Sequence, residues 1–136
     1  MTTQQLTVGE QVGSWDFTVT YPEAVSYMGP EPSWHNNKEI ANSIGQANAV
    51  VSGQHTLGVV TERLIDFYGM RWMEGGKLFL KYTKQIECED DITLKATVRA
   101  ISKKKGRTLV ELDLAAFGRG DEEDRRAIGE ASGYID

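Results

Sequence analysis

The chain is 136 residues long, 40% hydrophobic and 26% charged, the make-up of one ordinary globular domain, taken here as residues 1–136. Its 20 acidic and 15 basic residues leave a net charge of −5, which argues against a general nucleic-acid or membrane-surface binder. One cysteine, Cys88, excludes an intrachain disulfide and a paired-cysteine metal knuckle, and fits a reducing cytoplasm.

The opening MTTQQLTVGEQ has neither the basic n-region nor the apolar h-region of a secretion signal. No apolar run approaches the roughly 20 residues a membrane-crossing helix needs. From Val12 to Tyr21, Trp15, Phe17 and Val19 alternate with Asp16, Thr18 and Thr20, the period of a half-buried strand. Tyr21-Pro22-Glu23-Ala24 starts a short helix with Pro in its first turn, and Val25, Met28 and Tyr27 are expected to face inward. Gly29-Pro30-Glu31-Pro32 stops it and forces extended backbone before each proline.

A short helical segment is expected over Asn37 to Ser43, ending near Gly45. Then comes the strongest helix. Ser52 is a good N-cap, Leu57, Val60, Leu64, Ile65 and Tyr68 form a 3.6-period stripe, and Gly69 ends it. After Gly75-Gly76 the pattern becomes strands: Lys77 to Cys88, Ile92 to Ser102, Thr108 to Phe117 and Ala127 to Ile135. One buried helix and a long antiparallel sheet make an α+β domain.

The stretch Gly29 to Gly58 reads GPEPSWHNNKEIANSIGQANAVVSGQHTLG. It resembles the signature of the MaoC-like, (R)-specific enoyl-CoA hydratases. In that pattern a Gly-Asp-x-Asn-Pro-x-His-x-Asp loop is followed by an alanine, a glycine and a closing His-Gly pair. Gly29 and His35 match the first Gly and the His, and Ala41, Gly45 and Gly53 match the later small residues without a gap. Gln85 to Ile92 resembles the family's Pro-Val-x-x-Gly-Asp-x-Leu turn, and Gly129-Glu130-Ala131 its final-strand Gly-x-Ala. Four positions depart: Pro30 stands for the catalytic Asp, Pro32 for the Asn, Asn37 for the second Asp, and Ser52 for the His of the closing pair.

The resemblance implies a hot-dog fold, a curled antiparallel sheet wrapped around one long central helix. It implies a hydratase or dehydratase of 2-enoyl thioesters, in which an Asp and a His hold the water and a helix-end N–H polarises the thioester carbonyl. Carried onto this chain, His35 is the general acid/base and the Gly53 N–H the oxyanion donor. Ser52 and His55 flank the substrate, and Glu31 is the carboxylate nearest the position lost to Pro30. Coenzyme A enters as part of the substrate, so no dissociable cofactor is implied, although an acyl-carrier protein is equally open as the thiol carrier. A homodimer or larger hot-dog assembly is expected, including a hetero-oligomer.

Each residue also has a plainer role. His35 reads as a loop histidine satisfied by a carbonyl, Glu31 as an exposed acid, Ser52 as an N-cap, Gly53 as a close-packing glycine and His55 as a packed or interface side chain. Two rivals follow: a half-catalytic or non-catalytic subunit of a hetero-oligomeric hydratase, and a thioesterase using Glu62 or Asp66. Lys103 to Arg107 reads as a hairpin turn or a clamp for coenzyme A phosphates. Trp34, Trp72 and Met73 read as acyl-pocket or packing residues. Two histidines with no metal-ligand spacing suggest no metal site.

Overall fold

The computed structural model describes residues 6–136; residues 1–5, part of the opening stretch read above for a leader, lie outside it. Five strands, β1 (Gln11–Phe17), β2 (Lys77–Tyr82), β3 (Ile92–Lys104), β4 (Arg107–Gly118) and β5 (Arg125–Tyr134), form one sheet in the order β1-β3-β4-β5-β2. Every neighbouring pair is antiparallel. Period-2 alternation explains which face is which. Leu94, Ala96 and Val98 of β3 and Val110, Leu112 and Leu114 of β4 are buried on the inner face. Arg99 of β3, on the outer face, bonds Glu111 and Asp113 of β4 and reaches across to Glu130 of β5.

The helix α3 (Gly53–Tyr68) fills the concave side, burying Thr56, Val60, Leu64 and Tyr68 at i, i+4 spacing. The expected stripe is therefore rotated slightly: Leu57 and Ile65 are half-buried and Thr56 takes the inner row. Tyr68 hides its ring and satisfies its hydroxyl by donating to the Val110 carbonyl at 2.8 Å. Gly69 ends α3 with φ 69°, a conformation that favours glycine. A 3₁₀ turn follows over Gly69–Glu74, which periodicity did not reveal, and seats Trp72 against Tyr68. Curled antiparallel sheet and central helix together are the hot-dog arrangement.

Three departures from expectation bear on the site: the end of β2, the facing of α1 (Tyr21–Met28) and the start of α2 (Lys38–Ser43). The strand read as Lys77 to Cys88 ends at Tyr82, because the next N–H groups, of Thr83 and Lys84, turn to the Arg126 carbonyl. In α1 (Tyr21–Met28) a capping box between Thr20 and Glu23 sets the helix phase so that Ala24 points inward. Val25 and Tyr27, expected inside, are 38% and 49% exposed. In α2 (Lys38–Ser43) Asn37 is the N-cap, its side chain accepting the Ile40 N–H at 3.0 Å. Gly129 has a steric reason: a Cβ there would collide with the Phe79 carbonyl of the adjacent strand β2.

Candidate active site at the N-terminal end of the central helix

The loop between α1 and α2 owes its shape to one amide. Asn36 accepts the Ser33 N–H at 2.8 Å and donates to the Gly29 and Glu31 carbonyls, both at 2.8 Å. Two prolines remove backbone donors from this turn, so the side chain supplies the bonds the backbone lacks. The loop is then stitched to the strand-like segment before α3. Val50 donates its N–H to the Trp34 carbonyl at 2.9 Å, and its own carbonyl faces His35 Nδ1 at 2.7 Å. Val50 also bridges to Glu87, while the Val51 and Cys88 N–H groups donate to Ile86 and Ala49.

These partners define the tautomer of His35. A carbonyl can only accept, so Nδ1 carries the proton. The Trp34 indole can only donate, and it reaches His35 Nε2 at 2.9 Å. His35 is therefore the neutral Nδ1–H tautomer, with Nε2 as its basic nitrogen.

His35 opens onto a cleft of about 270 Å³. Val50, Val51 and Ile86 give it an apolar floor, while Thr56, Tyr82 and Lys84 add polar groups. The start of α3 forms the opposite wall. Ser52, buried, accepts the His55 N–H at 3.1 Å, and its carbonyl accepts the Thr56 N–H. Gly53 is the first residue of the helix and lines the cleft, where its N–H is one of the unpaired donors every helix leaves at its N-terminus. The Tyr82 hydroxyl donates to the Gly53 carbonyl at 2.6 Å, and a Cβ on Gly53 would sit 3.1 Å from the Tyr82 ring. Burial pushes the Tyr82 hydroxyl up, so it stays protonated and remains a donor.

The rim of the cleft hangs on Arg126, which is 8% exposed. Its guanidinium holds both oxygens of Asp124 at 3.0 and 2.8 Å, Asp90 at 2.7 Å and the Gln85 carbonyl at 3.1 Å. Its own carbonyl takes the Thr83 N–H. Hydrogen bonds from Arg126 and then Lys84 hold the Asp124 carboxyl well below the usual carboxylate range.

The structure thus brings His35 and Gly53 to one cleft, with Ser52 behind as a cap. It does not bring Glu31 there. That side chain is exposed, and only its backbone carbonyl is bound. Among the described residues no carboxylate lines the cleft. His55 faces the other way and stacks on Tyr27 of α1, ring centroids 4.4 Å apart, with a buried, unpartnered Nδ1. Burial holds its pKa below the ordinary histidine value, against a smaller pull from Glu23.

Glu62 and Asp66 are exposed on α3 away from the cleft, and Asp66 pairs with Arg63 at 3.1 Å. The Lys103–Arg107 turn lies at the far end of the sheet. There Arg107 stacks on Tyr134 and bonds the Asp136 carbonyl, so this turn does not clamp a ligand in the same chain's cleft. Trp34 lines the cleft, whereas Trp72 is core and Met73 is 71% exposed. Cys88 is buried, which pushes its thiol up to about 11 and removes it as a thiolate nucleophile. Among the described residues no cluster of His, Cys, Asp or Glu is placed to hold a metal ion, and no helix is long and apolar enough to cross a membrane.

Tyr82 and Arg126 were missed from the sequence. Neither carries a local signal for the cleft, since Tyr82 reaches Gly53, 29 positions away, and Arg126 reaches Gln85 and Asp90, 41 and 36 positions away.

No protein-family model matches the chain, and no curated protein matches it in sequence. Solved structures do match. The chain is similar to the ChsH1–ChsH2 complex from Mycobacterium tuberculosis, with TM-score 0.78 and 13% identity over 96% of this chain and 98% of that one. It is similar to the (R)-hydratase from A. caviae involved in PHA biosynthesis, with TM-score 0.73, 17% identity and coverage of 95% and 96%. The fluoroacetyl-CoA-specific thioesterase FlK shares the fold at TM-score 0.58 and 17% identity, with coverage of 96% and 95%. Identities this low establish the hot-dog fold and leave the chemistry to the residues of the cleft.

Proposed function

We propose that this chain hydrates, or dehydrates to, 2-enoyl thioesters, with His35 as its acid–base group. One observation carries the reading: His35 and the N-terminus of α3 line the same cleft, and His35 is anchored through Nδ1 so that Nε2 is its basic nitrogen. In the hydration direction Nε2 takes a proton from water as the oxygen bonds to Cβ of the enoyl group. The electron pair of the double bond moves toward the thioester carbonyl, and the Gly53 N–H at the positive end of α3 stabilises that enolate oxygen. The imidazolium then returns the proton to Cα. One histidine acting in both steps needs no carboxylate partner, in keeping with Pro30 and with the exposure of Glu31.

A second reading is favoured by the absence of any carboxylate from the cleft lining. In it the chain is a half-site subunit that binds the acyl thioester while a second hot-dog chain supplies the acid. Its similarity to a complex of two different chains supports that reading.

The test is loss of enoyl-thioester absorbance across a panel of 2-enoyl-CoAs, beside the His35→Ala variant, with free thiol assayed in parallel. Absorbance loss that disappears in the variant, without thiol release, is the expected result. Binding of acyl-CoA without turnover selects the half-site subunit. Thiol release selects a thioesterase.

A further inference from the structure

Both ring nitrogens of His35 are occupied. Nδ1 donates to the Val50 carbonyl at 2.7 Å, and Nε2, the nitrogen that must meet water, accepts the Trp34 indole N–H at 2.9 Å. A base whose lone pair is already engaged cannot take a proton from water until the donor leaves. We propose that Trp34 is a positioning residue that holds Nε2 of His35 closed in the free protein and opens it by passing its indole N–H to the carbonyl oxygen of the entering thioester.

The backbone around the pair is fixed, so opening falls to the indole. The Trp34 carbonyl accepts the Val50 N–H at 2.9 Å, and the His35 N–H donates to Ser33 Oγ at 3.1 Å. Trp34 and His35 both line the cleft, so a ligand meets both rings. An indole N–H only donates, and Trp34 is half-buried, so leaving that donor without a good acceptor costs free energy. Release of His35 is therefore favoured when an acceptor stronger than water arrives at the indole.

The fixed groups of the cleft are poor candidates. The Gly53 carbonyl already holds the Tyr82 hydroxyl, and the Val50 carbonyl holds His35. A thioester brings its own carbonyl oxygen, which acquires negative charge as water adds. The exchange thus frees the base and adds a second donor to the developing enolate in one movement. It also makes the thioester carbonyl, not the thiol carrier, the key that opens the site.

This inference rests on the proposed chemistry for the identity of the ligand, but its masking half does not. The 136-residue protein at neutral pH is treated with diethyl pyrocarbonate, and the modification rate of His35 is followed by peptide mapping, which separates it from His55. Trp34→Phe keeps an aromatic ring and removes the N–H donor together with the bulk of the fused ring; circular dichroism confirms that it folds. His35 is expected to react about tenfold faster in Trp34→Phe than in wild type, the size of one net hydrogen bond. Equal rates overturn the mask.

The handover is read from the Trp34 indole N–H resonance, assigned by its loss in the same variant. Saturated butyryl-CoA, which binds without reacting, is expected to shift it. S-butyl-CoA, the thioether lacking the thioester carbonyl, is expected to bind without shifting it. The same response to both ligands overturns the handover. Absence of binding by either overturns it together with the enzyme reading, while the labelling rates, measured without ligand, still decide the mask.

Discussion

The interface between α3 and the sheet and the loop from Gly29 to Asn37 are built on opposite principles. The interface is made of many weak, interchangeable contacts: Val60, Leu64, Leu94, Val98, Val110 and Leu112 all bury their side chains against one another. The loop is made of a few directional bonds with no substitutes, from Asn36 to its own turn and from Trp34 and His35 to Val50. The first kind of construction tolerates drift in sequence and leaves a periodic trace of itself. The second tolerates little drift and leaves almost none.

The comparison can be broken by substitutions in each half. Leu64 is fully buried, so Leu64→Ala is expected to cost about 2–5 kcal/mol, read from urea unfolding midpoints. A loss below about 1 kcal/mol would mean that the helix–sheet interface does not carry the fold. His35→Ala is expected to lower enoyl-CoA turnover by about 10²–10⁴-fold, the usual range for a general acid–base group. Its stability should fall by only about 1–2 kcal/mol for the two lost bonds. A variant that is fully active sinks the proposed chemistry.

Asn36→Ala should lower the unfolding free energy by about 1–3 kcal/mol for its three lost bonds, and raise amide exchange most across residues 29–36. Protection unchanged there would show that the prolines alone hold the turn. The smallest effect concerns pH. Asp124 has a carboxyl held below its unfolded range, so the stability it contributes is complete above about pH 4 and is lost as pH falls toward its folded value. Asp124→Asn should be less stable than wild type at pH 7 and lose less on acidification below about pH 4. Parallel stability curves for the two proteins would overturn that assignment.

His55 sharpens the contrast from the helix side. Its pKa is lowered in the fold by burial, so protonation favours the unfolded chain. Its contribution is therefore retained above the ordinary histidine range, near pH 6.5, and lost as pH drops below it. His55→Gln should flatten that part of the curve without affecting turnover, since His55 faces Tyr27 and not the cleft. An equal loss of turnover would return His55 to the site.

This division explains what could be read from the residues alone. The central helix, its Ser52 cap and its Gly69 stop were legible because capping and 3.6-residue periodicity are local. The strands were legible for the same reason, except where β2 leaves the ladder for Arg126, a partner more than 40 positions away. The arrival of His35 and Gly53 at one cleft was legible only through the spacing of a resembling motif. The exposure of Glu31, the turn of His55 toward Tyr27 and the capture of Nε2 by Trp34 were not. Each depends on a side-chain direction that neither spacing nor composition encodes. Gly53 shows the limit well: the Tyr82 ring beside it accounts for a glycine there whether or not its N–H meets a substrate.

The guanidinium of Arg126 ties the mouth of the cleft to the first residues of β5. Lengthening the segment from Thr83 to Asp90 would pull this tether off its anchor, and shifting β5 would carry Gly129 away from its close passage beside Phe79. Insertions at the entrance are therefore disfavoured. Changes of tenant must come from exchanging one lining residue for another of different size, at Val51, Thr56 or Ile86. An engineer seeking bulkier guests would begin with those three positions and leave the doorframe alone.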